Sequence, residues 1–191
     1  MSQTISNPLT GYTMTFLEAT AEVFRFSETG QAGAPGPVLH IHPLQEERFQ
    51  VTRGTVAFVM GSQRLVCGPG EGVTVPAGVP HTFCNAGDQE FEMFGEYRPG
   101  LPEQSHRFHD VYFALARAGL TDHKGMPSIW QIAVEMPLVS DHVHLASPPW
   151  AIQRAFLALI RPIARLLGYR PFQVTPAEVG SETAGGPTSS D

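Results

Sequence analysis

His40-Ile41-His42-Pro43-Leu44-Gln45-Glu46-Glu47 opens a stretch that runs to Gly54. Gly70 to Val75, then Pro76-Ala77-Gly78-Val79-Pro80-His81-Thr82-Phe83-Cys84-Asn85, closes it. Side chains two apart on a strand share a face, so His40 and His42 point the same way. Glu47 follows a short loop, and His81 follows a Pro-Gly turn able to aim it back toward the first two. Three imidazoles and a carboxylate form a donor set that suits iron, manganese, zinc, nickel or copper. They fill four positions, so an octahedral ion keeps open sites for water, substrate or dioxygen.

The chain on either side of this stretch reads as many short strands. Tyr12 to Phe26 makes one or two, followed by a Gly/Pro-rich loop to Gly36. Val38–His42, Glu47–Thr52, Thr55–Met60, Leu65–Cys67, Val73–Val75, His81–Asn85 and Phe91–Tyr97 follow, parted by Gly and Pro turns. Short strands at this density predict a mainly β sandwich or barrel. Residues 1 to about 10 read as loose.

After Pro99 the period changes. Glu103–Ala118 is helical, with Phe108, Val111, Tyr112, Leu115 and Ala118 on one side and Gly119 at its end. Met126–Val139 is a weaker helix with Pro127 near its start. Trp150–Leu167 follows Ser147, a candidate N-cap, and Pro162 is expected to kink or split it. The division is therefore a β unit over 1–99, a helical extension over 100–170, and an aperiodic tail over 171–191 expected to be disordered.

These residues resemble the cupin superfamily. Its first motif reads G-x5-H-x-H-x3/4-E-x6-G; here His40, His42, Glu47 and Gly54 match, and Ala34 replaces the leading Gly. Its second motif, G-x5-P-x-G-x2-H-x3-N, is matched by Gly70, Pro76, Gly78, His81 and Asn85. Fifteen residues separate the motifs, the short spacing of small microbial cupins. The resemblance implies a cupin double-stranded β-helix, a jelly-roll barrel, carrying C-terminal α-helices. It also implies one divalent transition metal on His40, His42, Glu47 and His81.

Counting back from Gly54 selects Glu47 as the ligand. Strand parity agrees, placing Gln45, Glu47, Phe49 and Val51 on one face and Glu46 on the other. Gln45 is then an outer support or a spare ligand. Cys84 falls on the opposite parity from His81 and is set aside. The same parity turns Phe49, Val51, Phe58, Met60 and Phe83 inward, either as the wall of an apolar substrate chamber, with Gln45 beside them, or, for most of them, as plain core. A second histidine group, His106, His109, His142 and His144, lacks a supporting carboxylate or cysteine pattern and reads as surface or cap histidines.

By the resemblance, the expected activity is dioxygenase-like oxidation of a small organic, possibly aromatic, compound, with Glu47 also able to accept a proton as a catalytic group. Isomerase, cyclase or lyase chemistry competes with it, as does a non-catalytic metal-dependent binding protein or sensor. A net charge of −6 without a basic block argues against nucleic acid. Two cysteines make no disulfide framework, the polar start lacks a signal-peptide core, and no apolar run is long enough to span a bilayer. A cytoplasmic protein is the expectation. Residues 150–167 carry Arg154, Arg161 and Arg165 on a narrow face beside a wide apolar arc. That arc favours packing or homodimer formation over membrane contact.

Overall fold

The computed structural model describes residues 3–123 and 125–174. Eleven strands form two antiparallel sheets. The first contains β1 (Thr4–Asn7), β2 (Tyr12–Ala19), β3 (Phe24–Gly30), β5 (Glu46–Arg53), β8 (Gly72–Val75) and β10 (Phe91–Arg98) in the order β1-β2-β3-β10-β5-β8. The second contains β4 (His40–Ile41), β6 (Val56–Met60), β7 (Gln63–Cys67), β9 (His81–Asn85) and β11 (His144–Leu145) in the order β11-β4-β9-β6-β7. This is the expected jelly roll, built as two facing sheets rather than one closed ring of hydrogen bonds.

Alternation decides which faces meet. Along β5, Glu47, Phe49 and Val51 are buried while Arg48 and Gln50 are exposed, the two-residue period of a half-buried strand. β10 is opposed by β3 on one side and β5 on the other, with Gly95 facing both Phe26 and Phe49. The core joins Phe24, Phe26, Phe91 and Met93 of the first sheet to Val56 and Phe58 of the second. All are essentially solvent-free, and each buried aromatic contributes roughly 2–3 kcal/mol relative to exposure.

The start of the chain differs from its expected looseness. Residues 4–7 form β1, paired with β2 from Thr4↔Thr15 to Asn7↔Tyr12. Fully buried Asn7 accepts from the Leu9 and Thr10 amides through Oδ1, closing the turn into β2. The pattern there is too short and polar for periodicity to reveal; a cap and a pairing partner determine it.

Helix α1 (Pro102–Arg117) follows the expected helix within a residue. Its buried side is broader than the sequence suggests: His109 and Phe113 are buried with Val111 and Leu115, whereas Ala118 is exposed. The second helical segment is shorter than 126–139. α2 spans Ile129–Glu135, capped by the Ser128 hydroxyl, and a 3-10 turn covers Met136–Leu138. Pro137 lacks the amide needed to continue the α-helix.

α3 (Trp150–Leu166) starts at the expected residue, with Pro149 rather than Ser147 at its N-cap, and it runs through Pro162 without a break. The carbonyl that Pro162 leaves unpaired belongs to Ala158, and both residues are exposed, so water can satisfy it. Leu157, Ile160 and Ala164 pack on α2 residues Ala133 and Val134. Ile152, Phe156, Leu159, Ile163 and Leu166 stay exposed on another stripe. No helix among the described residues is long and apolar enough to cross a membrane. The expected disordered tail lies mostly outside the described residues, which end at Val174.

Candidate metal centre

The donors come from both sheets. β4 and the residue just after it carry His40 and His42, and β9 carries His81, directly paired with His40. Glu47 sits in the other sheet, on β5 between Val75 and Tyr97. The Gly78 turn locks the two motifs together: Gly78 adopts φ +80° and donates its amide to the His42 carbonyl at 2.9 Å. The substitution of Ala34 for the motif glycine costs nothing visible, because the left-handed position falls on Gly33, φ +72°.

One donor atom from each of His40, His42, Glu47 and His81 lies within 4.8 Å of every other. His42, Glu47 and His81 are buried, and His40 is half-buried. The hydrogen bonds settle the tautomers. Nδ1 of His40 donates to the Val38 carbonyl at 2.8 Å, Nδ1 of His42 to the His142 carbonyl at 2.5 Å, and Nδ1 of His81 to the Val79 carbonyl at 2.9 Å. A carbonyl only accepts, so each Nδ1 carries hydrogen and each Nε2 is left for another partner.

At His42, Nε2 is buried and unpartnered. His81 Nε2 lies 2.7 Å from Glu47 Oε2, and His42 Nε2 lies 3.6 Å from the same oxygen. An orphaned buried nitrogen beside a carboxylate is a site that a cation completes.

Electrostatics favours neutral imidazoles at two positions. Burial, followed by the neighbouring His81, pulls His40 down to about 3. Burial and then His142 hold His42 well below the usual histidine range. At His81, burial opposes the charge, but the hydrogen bond and charge of Glu47 outweigh it and raise the pKa. Neutral imidazoles and one anion are the form in which these groups bind a metal. Iron, manganese, zinc, nickel or copper would fit this nitrogen–oxygen set.

Strand parity separates the two glutamates as expected. Glu47 faces inward, while Glu46 is partly exposed and bridges Arg48. Cys84, half-buried on β9, is not among the clustered donors.

The expected chamber wall requires correction. A cavity of about 170 Å³ opens beside His40, His42 and Glu47, and of the expected lining residues only Phe83 borders it. Phe49, Val51 and Phe58 are core, and Met60 packs against that core. Gln45 is fully buried and structural: Nε2 donates to the Pro99 carbonyl at 2.7 Å, and Oε1 accepts from His142 Nδ1 at 2.6 Å. Parity alone cannot tell a chamber wall from the packed core, since both face inward. The cavity's remaining walls come from β2, β3, α1 and the segment around Val139–Leu145, including Met14, Phe108, Val111 and Tyr112.

The second histidine group also differs from expectation. His109, His142 and His144 are buried. The His142 ring lies 4.7 Å from that of His42, and its carbonyl orients the His42 ring. His144 stacks flat on Trp150 at 4.9 Å. His106 is half-buried and meets Phe16 and Phe24 edge-on. No local pattern signals the His42–His142 contact, because 100 positions separate the partners.

Comparison with known proteins finds a family match and several similar chains. The Cupin domain family matches residues 27–95. A protein named "Probable oxidoreductase virH" from Hypocrea virens is 31% identical over 153 residues, covering 73% of this chain and 67% of that one. Among solved structures, an RmlC-like cupin from Shewanella frigidimarina has a TM-score of 0.45 at 18% identity, covering 50% of this chain and 82% of that one. KdgF from Halomonas sp. has a TM-score of 0.44 at 13% identity, covering 47% and 81%. The spacing of both motifs, the two-sheet jelly roll and the family match lead to one assignment: the chain belongs to the cupin family.

Proposed function

We propose that this cupin is a metal-dependent oxidoreductase acting on a small, neutral, largely apolar organic compound, with dioxygenase-like oxidation the leading chemistry. One observation carries the reading: four donor atoms from two sheets converge with every imidazole Nδ1 tied to a carbonyl, beside an apolar cavity. A bound iron, manganese, nickel or copper would supply redox or Lewis-acid chemistry at its open positions. His40, His42, Glu47 and His81 would hold it, and Glu47 would accept a proton if it detached. The resemblance to a relative named as an oxidoreductase supports the class of reaction.

The wall chemistry supports the class of substrate. Glu28 and Glu47 both border the cavity, and an anionic ligand would meet two carboxyl groups. Arg107 also borders it, but already pairs with Glu135 at 2.7 Å. A phosphorylated or carboxylated substrate therefore has poor support here, and an uncharged ring or chain fits the apolar lining.

Elemental analysis of the purified chain is expected to find about one transition metal per molecule, lost in the double substitution His40→Ala/His81→Ala. Oxygen uptake by the iron-loaded chain with catechols and other small phenols then tests the reaction. Undiminished metal in the double variant would remove the site. A flat oxygen trace for every metal and substrate would leave a binding protein in place of an enzyme.

A further inference from the structure

Besides His42 Nε2 and Arg107 Nε, which are also unpartnered, two polar groups on the cavity wall stand out. Glu28 projects inward from β3 and is only 6% exposed, and it borders the cavity without a hydrogen bond to any described side chain. Tyr12 projects inward from β2, and its hydroxyl is buried without a partner. Both side chains border the cavity that also touches His40, His42 and Glu47.

The strand register makes them neighbours. Tyr12 opposes Gly30 and Met14 opposes Glu28, so Tyr12 and Glu28 are a diagonal pair on one face. Gly30 makes this possible, since a Cβ there would run into the Phe91 ring and press on Tyr12. The Tyr12 ring is fixed edge-on by Phe83 at 5.9 Å and Phe91 at 5.8 Å.

Leaving a buried carboxyl and a buried phenol unpaired is costly, and native interiors pair such groups. An apolar pair would fill the same space at no such cost. A cost of this kind, placed on a cavity wall, has a ready explanation when a ligand supplies the missing partners. The polar pair lies on β2 and β3, whereas the metal donors lie on or beside β4, β5 and β9.

We infer that Tyr12 and Glu28 form a two-point recognition site for a carbonyl or hydroxyl oxygen of a single-ring aromatic ligand, whose hydrocarbon part fills the apolar remainder of the cavity. The size agrees: the cavity is about 170 Å³, and a protein cavity of about 150 Å³ accepts benzene. Burial first, and Glu47 second, push the Glu28 carboxyl well above the usual range, which favours a neutral acid able to donate as well as accept. Burial raises Tyr12 too, keeping a phenol that can donate. The site thus offers two neutral donors to an oxygen lone pair, while the Glu47 carboxylate on the same cavity disfavours an anionic ligand. This assignment rests on the reading of the cavity as the substrate chamber.

The test uses the full metal-loaded chain and four single-ring probes: toluene, 4-methylphenol, acetophenone and benzoate. Binding is measured by calorimetry or ligand-observed NMR, with metal content followed in parallel. In the wild-type chain, 4-methylphenol and acetophenone are expected to bind about tenfold or more tightly than toluene, with benzoate weakest. Tyr12→Phe and Glu28→Leu should each lose most of that preference while toluene affinity and metal content hold, and Glu28→Gln should keep much of it. Both disruptive variants should be as stable as wild type or more so, because each removes an unsatisfied group.

A purely structural role predicts the reverse, a loss of stability with the preference intact. That result overturns the inference, as does failure of all four probes to bind the wild-type chain. Loss of the metal-centre assignment in the His40→Ala/His81→Ala experiment would leave the oxygen preference at Tyr12 and Glu28 standing, so the two failures are distinguishable.

Discussion

At the scale of single residues, the support of the metal centre matters as much as its donors. Gln45 holds His142, and His142 in turn presents its carbonyl to His42. Replacing Gln45 by Leu leaves the Pro99 carbonyl and part of the His142 ring without partners in a dry interior. The expected cost is about 1–3 kcal/mol in denaturant unfolding, with weaker metal retention, whereas Glu46→Gln on the outer face should change stability by less than about 0.5 kcal/mol. Equal effects of the two would remove the support role of Gln45.

His109 offers a pH test. Burial first, and His106 second, hold it down to about 3, while the unfolded chain protonates near 6.5. The folded state therefore binds fewer protons in that window. The stability contributed is complete above about pH 6.5 and is lost as pH falls toward 3, at about 1.4 kcal/mol per unit for one group. His109→Phe should flatten the acid limb of the unfolding midpoint against pH. A slope identical to wild type would count against His109 as a source of acid lability.

At the scale of elements, close approach across β10 sets the spacing of the inner strands. Gly95 lies between Phe26 and Phe49, and a Cβ there would collide with the Phe26 ring, which is 1% exposed and cannot swing out. Gly95→Ala should therefore destabilise by about 1–3 kcal/mol in chemical unfolding, despite raising intrinsic strand propensity. An unchanged midpoint would mean the sheet yields more readily than this packing implies. β11 is the complementary case: two residues from the far end of the chain pair with β4 and extend the sheet that carries His40 and His81.

At the scale of the whole molecule, the helical extension is part of the metal centre. The carbonyl orienting His42 comes from residue 142, and α1 with the Val139–Leu145 segment walls the cavity. A chain ending at 99 contains both histidine motifs yet should bind metal at least about tenfold more weakly, or precipitate through the uncovered Phe24 and Tyr97. A chain ending at 146 keeps β11 and His142 and should retain about one metal per molecule in elemental analysis. Full metal content in a soluble 1–99 chain would show the motifs to be self-sufficient.

How much of this was legible in the amino-acid order depends on distance along the chain. The strands between Tyr12 and Arg98, the pairing of His40 with His42, and Glu47 over Glu46 are readable, because a two-residue period and motif spacing are local properties, whereas β1 and β11 are not readable. The chamber was not. Phe49 and Phe58 share the inward parity of Phe83, and only the packing of two sheets decides which inward residues meet other side chains and which meet space. Nor could the order reveal that His142 would leave the surface to orient His42. Residue order and spacing specify the clustered donors and the sheet faces. The cavity, the unpartnered Tyr12 hydroxyl beside Glu28 on its wall, and the outer support of the metal donors come from the tertiary fold, because they depend on contacts between segments whose separation no periodicity encodes.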